Sequence, residues 1–155
     1  MAVPRTTGYL GINRNDVTYL TDGTIVPPVV GFQGYNPSMS PQLHMAIALV
    51  NTGSGTGISR PTVGLGAATN PVEGELWGVD PDGVAVVRKH GYVYVPFNTT
   101  TPPAVNGYVV CDGTGKVQAA AAGTVTRARC VGFDSDPHTL VPGQTPALVA
   151  LIDLG

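Results

Sequence analysis

The clearest pattern lies between residues 75 and 154, where short apolar runs alternate with turn-forming clusters at spacings of roughly 8–12 residues. Residues 75–79 (ELWGV), a DPDG turn at 80–83 and residues 84–88 (VAVVR) predict a hairpin. Residues 92–97 (YVYVPF) join aromatic to β-branched side chains, the types that fit a pleated, half-buried surface. Residues 106–111 (NGYVVC), a turn at 112–115 and residues 116–120 (KVQAA) predict a second hairpin. Residues 125–133 (VTRARCVGF) alternate. Val125, Arg127, Arg129 and Val131 share one face, and Thr126, Ala128, Cys130 and Gly132 the other. The small-residue face is expected to point inward. Residues 134–144 read as loop, and residues 146–154 (PALVALIDL) as a final, heavily buried strand.

The first half is less periodic. Residues 17–21 predict a strand, Asp22 and Gly23 a turn, and residues 24–30 a second extended piece. Pro27 and Pro28 cannot donate to a ladder, which makes that piece an edge or a free arm. Residues 40–51 (SPQLHMAIALVN) offer the one helix: Ser40 can cap it, Pro41 suits its first position, and Leu43, Ala46, Ile47 and Val50 share a face. A buried strand through residues 45–50 reads nearly as well, because period cannot assign short apolar runs. Residues 51–71 have the composition of a flexible loop. The expected organisation is therefore an extended arm or edge strands over 1–40, a short helix or strand plus a Gly-rich loop over 41–74, and a β core over 75–155. The fold class is mostly β: a small barrel or sandwich with an extended N-terminal arm and at most one short helix.

Composition sharpens this reading. A chain of 155 residues fits one domain. Its 21 glycines and 14 prolines disfavour long helices. Charged residues are 12% of the chain, against roughly 25% in a typical domain. So few charges leave an exterior poorly protected against association, so it is expected to be either covered by Ser, Thr and Asn or buried by partners. Both suit a protein packed in a lattice, and an unusually neutral monomer is the alternative. A net charge of −2 and eight scattered Lys and Arg argue against binding nucleic acid, which needs clustered cations. The start of the chain lacks the apolar core of a secretory leader, and no apolar run approaches the about 18 residues that cross a bilayer. Synthesis in a cytoplasm is expected, with Cys111 and Cys130 as packed, reduced thiols.

Candidate chemistry is sparse. His44, His90 and His138 lie far apart and show no metal-ligand spacing. The Gly-rich NTGSGTGISR lacks the lysine of a phosphate loop. Asp80 with Asp82 and Asp134 with Asp136 resemble fragments of calcium loops but lack the further oxygen ligands, so turn chemistry explains them. Asn98 begins a glycosylation sequon that, without a leader, reads as accidental. No nucleophile carries a recognisable motif, and neither an enzyme nor a cofactor or metal is expected. Trp77, the single tryptophan, is by default a core residue and alternatively an interface anchor.

The series GYVYVPF (91–97), NGYVVCDGTGKVQAA (106–120), ARCVGFDSD (128–136) and ALVALIDLG (147–155) resembles the C-terminal region of bacteriophage capsid decoration, or head cement, proteins. The resemblance covers about the last half of the chain and carries no catalytic residues. It implies a non-enzymatic virion protein on the outer capsid surface, made in the host cytoplasm. The implied partners are the major capsid protein and the protein itself as a homotrimer, with no nucleic acid and no membrane. Bridging several capsid subunits would gain from multivalency. The polar N-terminal residues, over 2–22, are expected to lie along the capsid or a neighbouring copy by strand addition. Tyr9, Ile12, Val17, Tyr19 and Trp77 are the candidate capsid or inter-subunit contacts. Three rival readings stand beside it: another phage structural component (tail, baseplate or head fibre); a receptor- or carbohydrate-binding β module, against which the dispersed tyrosines speak; and an enzyme such as a hydrolase, against which the lack of any paired acid and base or nucleophile motif speaks.

Overall fold

The computed structural model describes residues 16–28, 40–50, 61–137 and 147–155. Ten strands form their regular structure, and no helix occurs among the described residues. Strands β1 (Asp16–Thr21), β2 (Ala46–Val50), β3 (Thr62–Gly64), β4 (Gly74–Val79) and β5 (Val84–Arg88) close a barrel in the order β1-β3-β2-β4-β5. Its closing seam runs along β1. On one side β1 pairs with β5 antiparallel from Asp16↔Arg88 to Leu20↔Val84. On the other it meets β3 in parallel through Leu20↔Thr62 and Thr21↔Val63. The DPDG turn joins β4 to β5, with the Gly83 N–H donating to the Asp80 carbonyl at 2.9 Å. A register shift between Leu76 and Gly78 leaves Trp77 opposite no residue of β5.

The rest of the chain forms two small sheets around a second core. One orders β6 (Tyr92–Val95), β10 (Leu148–Asp153) and β9 (Arg129–Ser135); the other pairs β7 (Val109–Cys111) with β8 (Val117–Ala119). Single bridges link them at both ends, Tyr108 to Arg129 and Phe97 to Val117. The circuit β6-β10-β9-β7-β8 thus returns to the continuation of β6, completing a second, looser ring.

Each ring has its own apolar interior. Ile25, Ile47, Val63, Leu76, Val79, Ala85 and Val87 fill the barrel. The second core holds the inward residues of β6 to β10, among them Val93, Val95, Val109, Val117, Cys130 and Ile152. Strand β2 is the wall between them: Ile47 points into the barrel, while Ala46 and Ala48 belong to the second core. Over Ala46, Ile47 and Ala48 both faces of β2 are therefore buried, which explains the apolar run there, whereas Leu49 at its far end is exposed.

That double burial decides between helix and strand. Residues 46–50 take the strand alternative, because a helix would offer one apolar stripe where two cores need filling. Ser40, expected as a helix cap, instead donates its hydroxyl to the Val26 carbonyl at 2.9 Å. The Gly-rich segment also contains more than loop. Thr62–Gly64 forms β3, a strand too short to show a period, held by its neighbours on both sides. Strand β9 begins at Arg129 rather than near 125; Ala128 and Cys130 are buried as the alternation requires, but a register shift opposite Leu151 and Ile152 puts Gly132, expected inward, on the outer face. Of the residues 2–22 expected as an arm, Asp16–Thr21 is a barrel strand with a partner on each side, so strand addition is left only to residues before it.

Candidate interaction surface

Tyr9 and Ile12 lie outside the described residues. Val17 lies on β1 and is 38% exposed. With Thr18, Tyr19, Leu20, Pro61 and Val84 it lines a shallow, mainly apolar hollow of about 410 Å³ beside β1, where Val17 and Tyr19 stand opposite the barrel residues Val87 and Ala85 and Tyr19 packs against the barrel core. Tyr19 turns its hydroxyl to polar neighbours: it donates to Glu73 Oε1 at 2.9 Å and accepts from Lys89 Nζ at 2.8 Å. Lys89 also pairs with Glu73. Burial pushes the Tyr19 hydroxyl above its ordinary value. Burial alone would lower Lys89, but its bonds to Glu73 and Tyr19 outweigh that and hold it raised.

Trp77 is half-buried on the outside of the barrel rather than in either apolar core. The Arg88 guanidinium stands 3.7 Å from its ring centroid, and the His44 ring meets it edge-on at 5.4 Å. Each of these neighbours is tied to a buried carboxylate. Arg88 Nε donates to Asp16 Oδ1 at 3.3 Å, and His44 Nδ1 donates to Glu75 Oε1 at 2.8 Å. Glu75 is only 1% exposed, and the His44 bond gives its buried carboxyl a polar partner inside the protein. Val17, Tyr19 and Trp77 all come from the barrel, but only Val17 and Tyr19 share a surface feature.

A second grouping was invisible in the sequence. Register sets Tyr92 opposite Asp153, Asp153 opposite Arg129, and Arg129 opposite Tyr108. Residues directly opposite in antiparallel pairs share a face, so the four form one row across β6, β10, β9 and the residue just before β7. The adjoining row, Val93, Ile152 and Cys130, is buried, which fixes the first row on the outside. Tyr92 and Tyr108 are 62% and 58% exposed. Between them Arg129 Nη2 approaches Asp153 Oδ2 at 3.8 Å. Next along the same face come Tyr94 and Leu151, both half-buried, and Gly132, above which a Cβ would meet open space. Tyrosines that are 16 residues apart in the chain thus share one surface, and only strand pairing reveals it.

The remaining candidates are structural. Cys111 and Cys130 are free, buried thiols; burial, with the Asp112 charge beside it, pushes Cys111 up to about 12, and burial also raises Cys130. For Asp112, burial acts upward, but bonds from Thr114, the Lys116 N–H and Asn98 outweigh it and hold the carboxyl below its ordinary value. His90 Nδ1 donates to the Gly155 carbonyl at 3.1 Å, and His138 lies outside the described residues. Among the described residues, no group of three or more His, Cys, Asp or Glu is placed to hold a metal ion. Comparison with protein-family models, curated proteins and solved structures finds no match to this chain.

Proposed function

We propose that this is a non-enzymatic structural protein that decorates the outer surface of a phage head and stabilises its lattice by bridging major capsid subunits. The observation that carries this reading is the distribution of exposed apolar side chains on a chain with 12% charged residues. Val17 and Leu20 on β1, Leu49 on β2, Tyr92 and Tyr108 on the second ring and Leu148 on β10 are all exposed. Such side chains on both rings suit a protein covered on several sides by neighbours. The sequence series that resembles cement proteins supplies β6 to β10, so the likeness spans one whole ring around one core. On a head, three copies meeting at a three-fold position would each touch more than one capsid subunit, and the joined contacts would resist expansion pressure together.

The hollow beside β1 gives the reading a testable part. It lies next to the point where residues 1–15 join the barrel, and that segment is where capsid contact is expected. A chain lacking residues 2–15 keeps every barrel strand and should melt as the whole protein does. Its binding to expanded heads, measured by co-sedimentation, should fall at least about tenfold through loss of one joined contact. Unchanged binding by the truncated chain would remove the arm from the proposal.

A further inference from the structure

We infer that the Tyr92–Asp153–Arg129–Tyr108 row is a two-fold contact surface whose occupant is the same face of a second copy of this chain. The order of the row is the reason. From either end it runs tyrosine, charge, opposite charge, tyrosine. A two-fold axis parallel to the strands, placed between two facing sheets, sets each position of the row against its mirror position. Tyr92 then faces Tyr108 of the second copy, and Asp153 faces Arg129. Both ion pairs across the contact are of opposite sign. An axis along the row would instead set Asp153 against Asp153 and Arg129 against Arg129, which like-charge repulsion forbids. The charges therefore select one arrangement, and it is the self-complementary one that closed symmetry requires.

The geometry permits that approach. The row spans three strand spacings, about 14 Å, and two sheets packing face to face stand about 10 Å apart. Standing tyrosines fill such a gap, and Gly132 leaves room for a ring from the other side. Tyrosine and arginine are the residue types that carry binding energy at interfaces, whereas exposed ion pairs add little. The tyrosines with Tyr94 and Leu151 therefore supply the affinity, and Asp153 and Arg129 set the register. Four strands offer less than the about 800 Å² per partner of a standard interface, so the contact is expected to be weak and dependent on concentration. It does not depend on where the protein works, and it leaves a three-fold contact free to form elsewhere on the molecule.

Sedimentation of the purified whole chain tests this through charge reversal. The wild type should reach an even multiple of the chain mass as concentration rises: two copies, or six where three-fold contacts also form. Arg129→Asp makes the middle of the row wholly acidic, and Asp153→Arg makes it wholly basic. Each variant alone should stay at half the wild-type mass, its self-association weakened at least about tenfold. Mixed in equal amounts, the two variants should associate with each other and recover the wild-type mass. A merely internal role for the Arg129–Asp153 pair would not produce that recovery. If either reversal prevents folding, Tyr92→Ser and Tyr108→Ser decide instead: both side chains are more than half exposed, and each variant should drop to half mass. A wild type that stays single or odd-numbered at the highest concentration it tolerates overturns the inference. So do variants that associate as the wild type does, or a mixture that stays at half mass.

Discussion

Gly74 opens β4 beside the end of β5, where the next residue, Glu75, stands opposite Arg88. A side chain there would collide with the Arg88 carbonyl and stand 2.7 Å from Val87 Cγ1. The backbone oxygen cannot retreat without breaking the β4–β5 ladder, so Gly74→Ala should destabilise the protein by about 1–3 kcal/mol. Gly132 is the matching control. A Cβ there meets nothing within 4 Å, and Gly132→Ala should leave the melting temperature nearly unchanged. Equal melting of the two variants would contradict this account of the barrel wall. Alkaline pH gives a second residue-level test. The Cys111 thiol lies at about 12 in the folded protein, against an ordinary 9.0, so folding favours its protonated form. Its contribution to stability is complete below pH 9 and disappears as pH rises through about 12. Tyr19 and Lys89 are also raised and act in the same direction. Denaturant midpoints should therefore fall through that alkaline range, and Cys111→Ala should make the fall shallower. A steeper or unchanged fall in that variant would refute the assignment.

At the scale of elements, β2 carries the most weight, because it serves two cores with alternate residues. Ile47→Ala opens a cavity in the barrel and should cost about 2–5 kcal/mol. Ala48→Val pushes the other way: Ala48 faces the second core, and its Cβ already lies against Gly66, so the larger side chain should cost about 1–3 kcal/mol. Urea unfolding of both variants checks this. Loss of stability in only one would mean that β2 is not a shared wall. The same strand shows what the sequence could and could not convey. Strands β4 to β8 and β10 were legible because turn residues bracket β-branched runs. Strand β2 read first as helix, with a strand nearly as good, because its neighbours, not its own period, bury Ala46, Ile47 and Ala48 on both faces. Strand β3 was missed because three residues show no period, and its pairing with β1 joins segments 42 residues apart. The Tyr92 to Tyr108 row was missed for the same reason: it is a product of register, with no signal in local spacing.

As a whole molecule, the protein is two rings joined by more than β2. Arg127 Nη2 donates to the carbonyls of Glu73 and Lys89 at 3.2 and 3.0 Å, tying the segment before β9 to the barrel. The Ala46 N–H donates to the Gly115 carbonyl at 2.8 Å, and the Cys111 N–H to the Asn70 carbonyl at 2.9 Å. These bonds make the pair of rings a single body that can present the hollow beside β1 and the tyrosine row at the same time. A lattice component needs such a body, since bridging neighbours requires contacts held at fixed separation. On the proposed reading this body sits on the outside of a phage head. Electron cryo-microscopy of heads from a phage lacking the protein, imaged with and without added purified chain, tests it most directly. Added density is expected at regularly repeated positions on the outer capsid surface, joining adjacent major capsid subunits. Density confined to tail, baseplate or fibre, or heads indistinguishable with and without the protein, would contradict it.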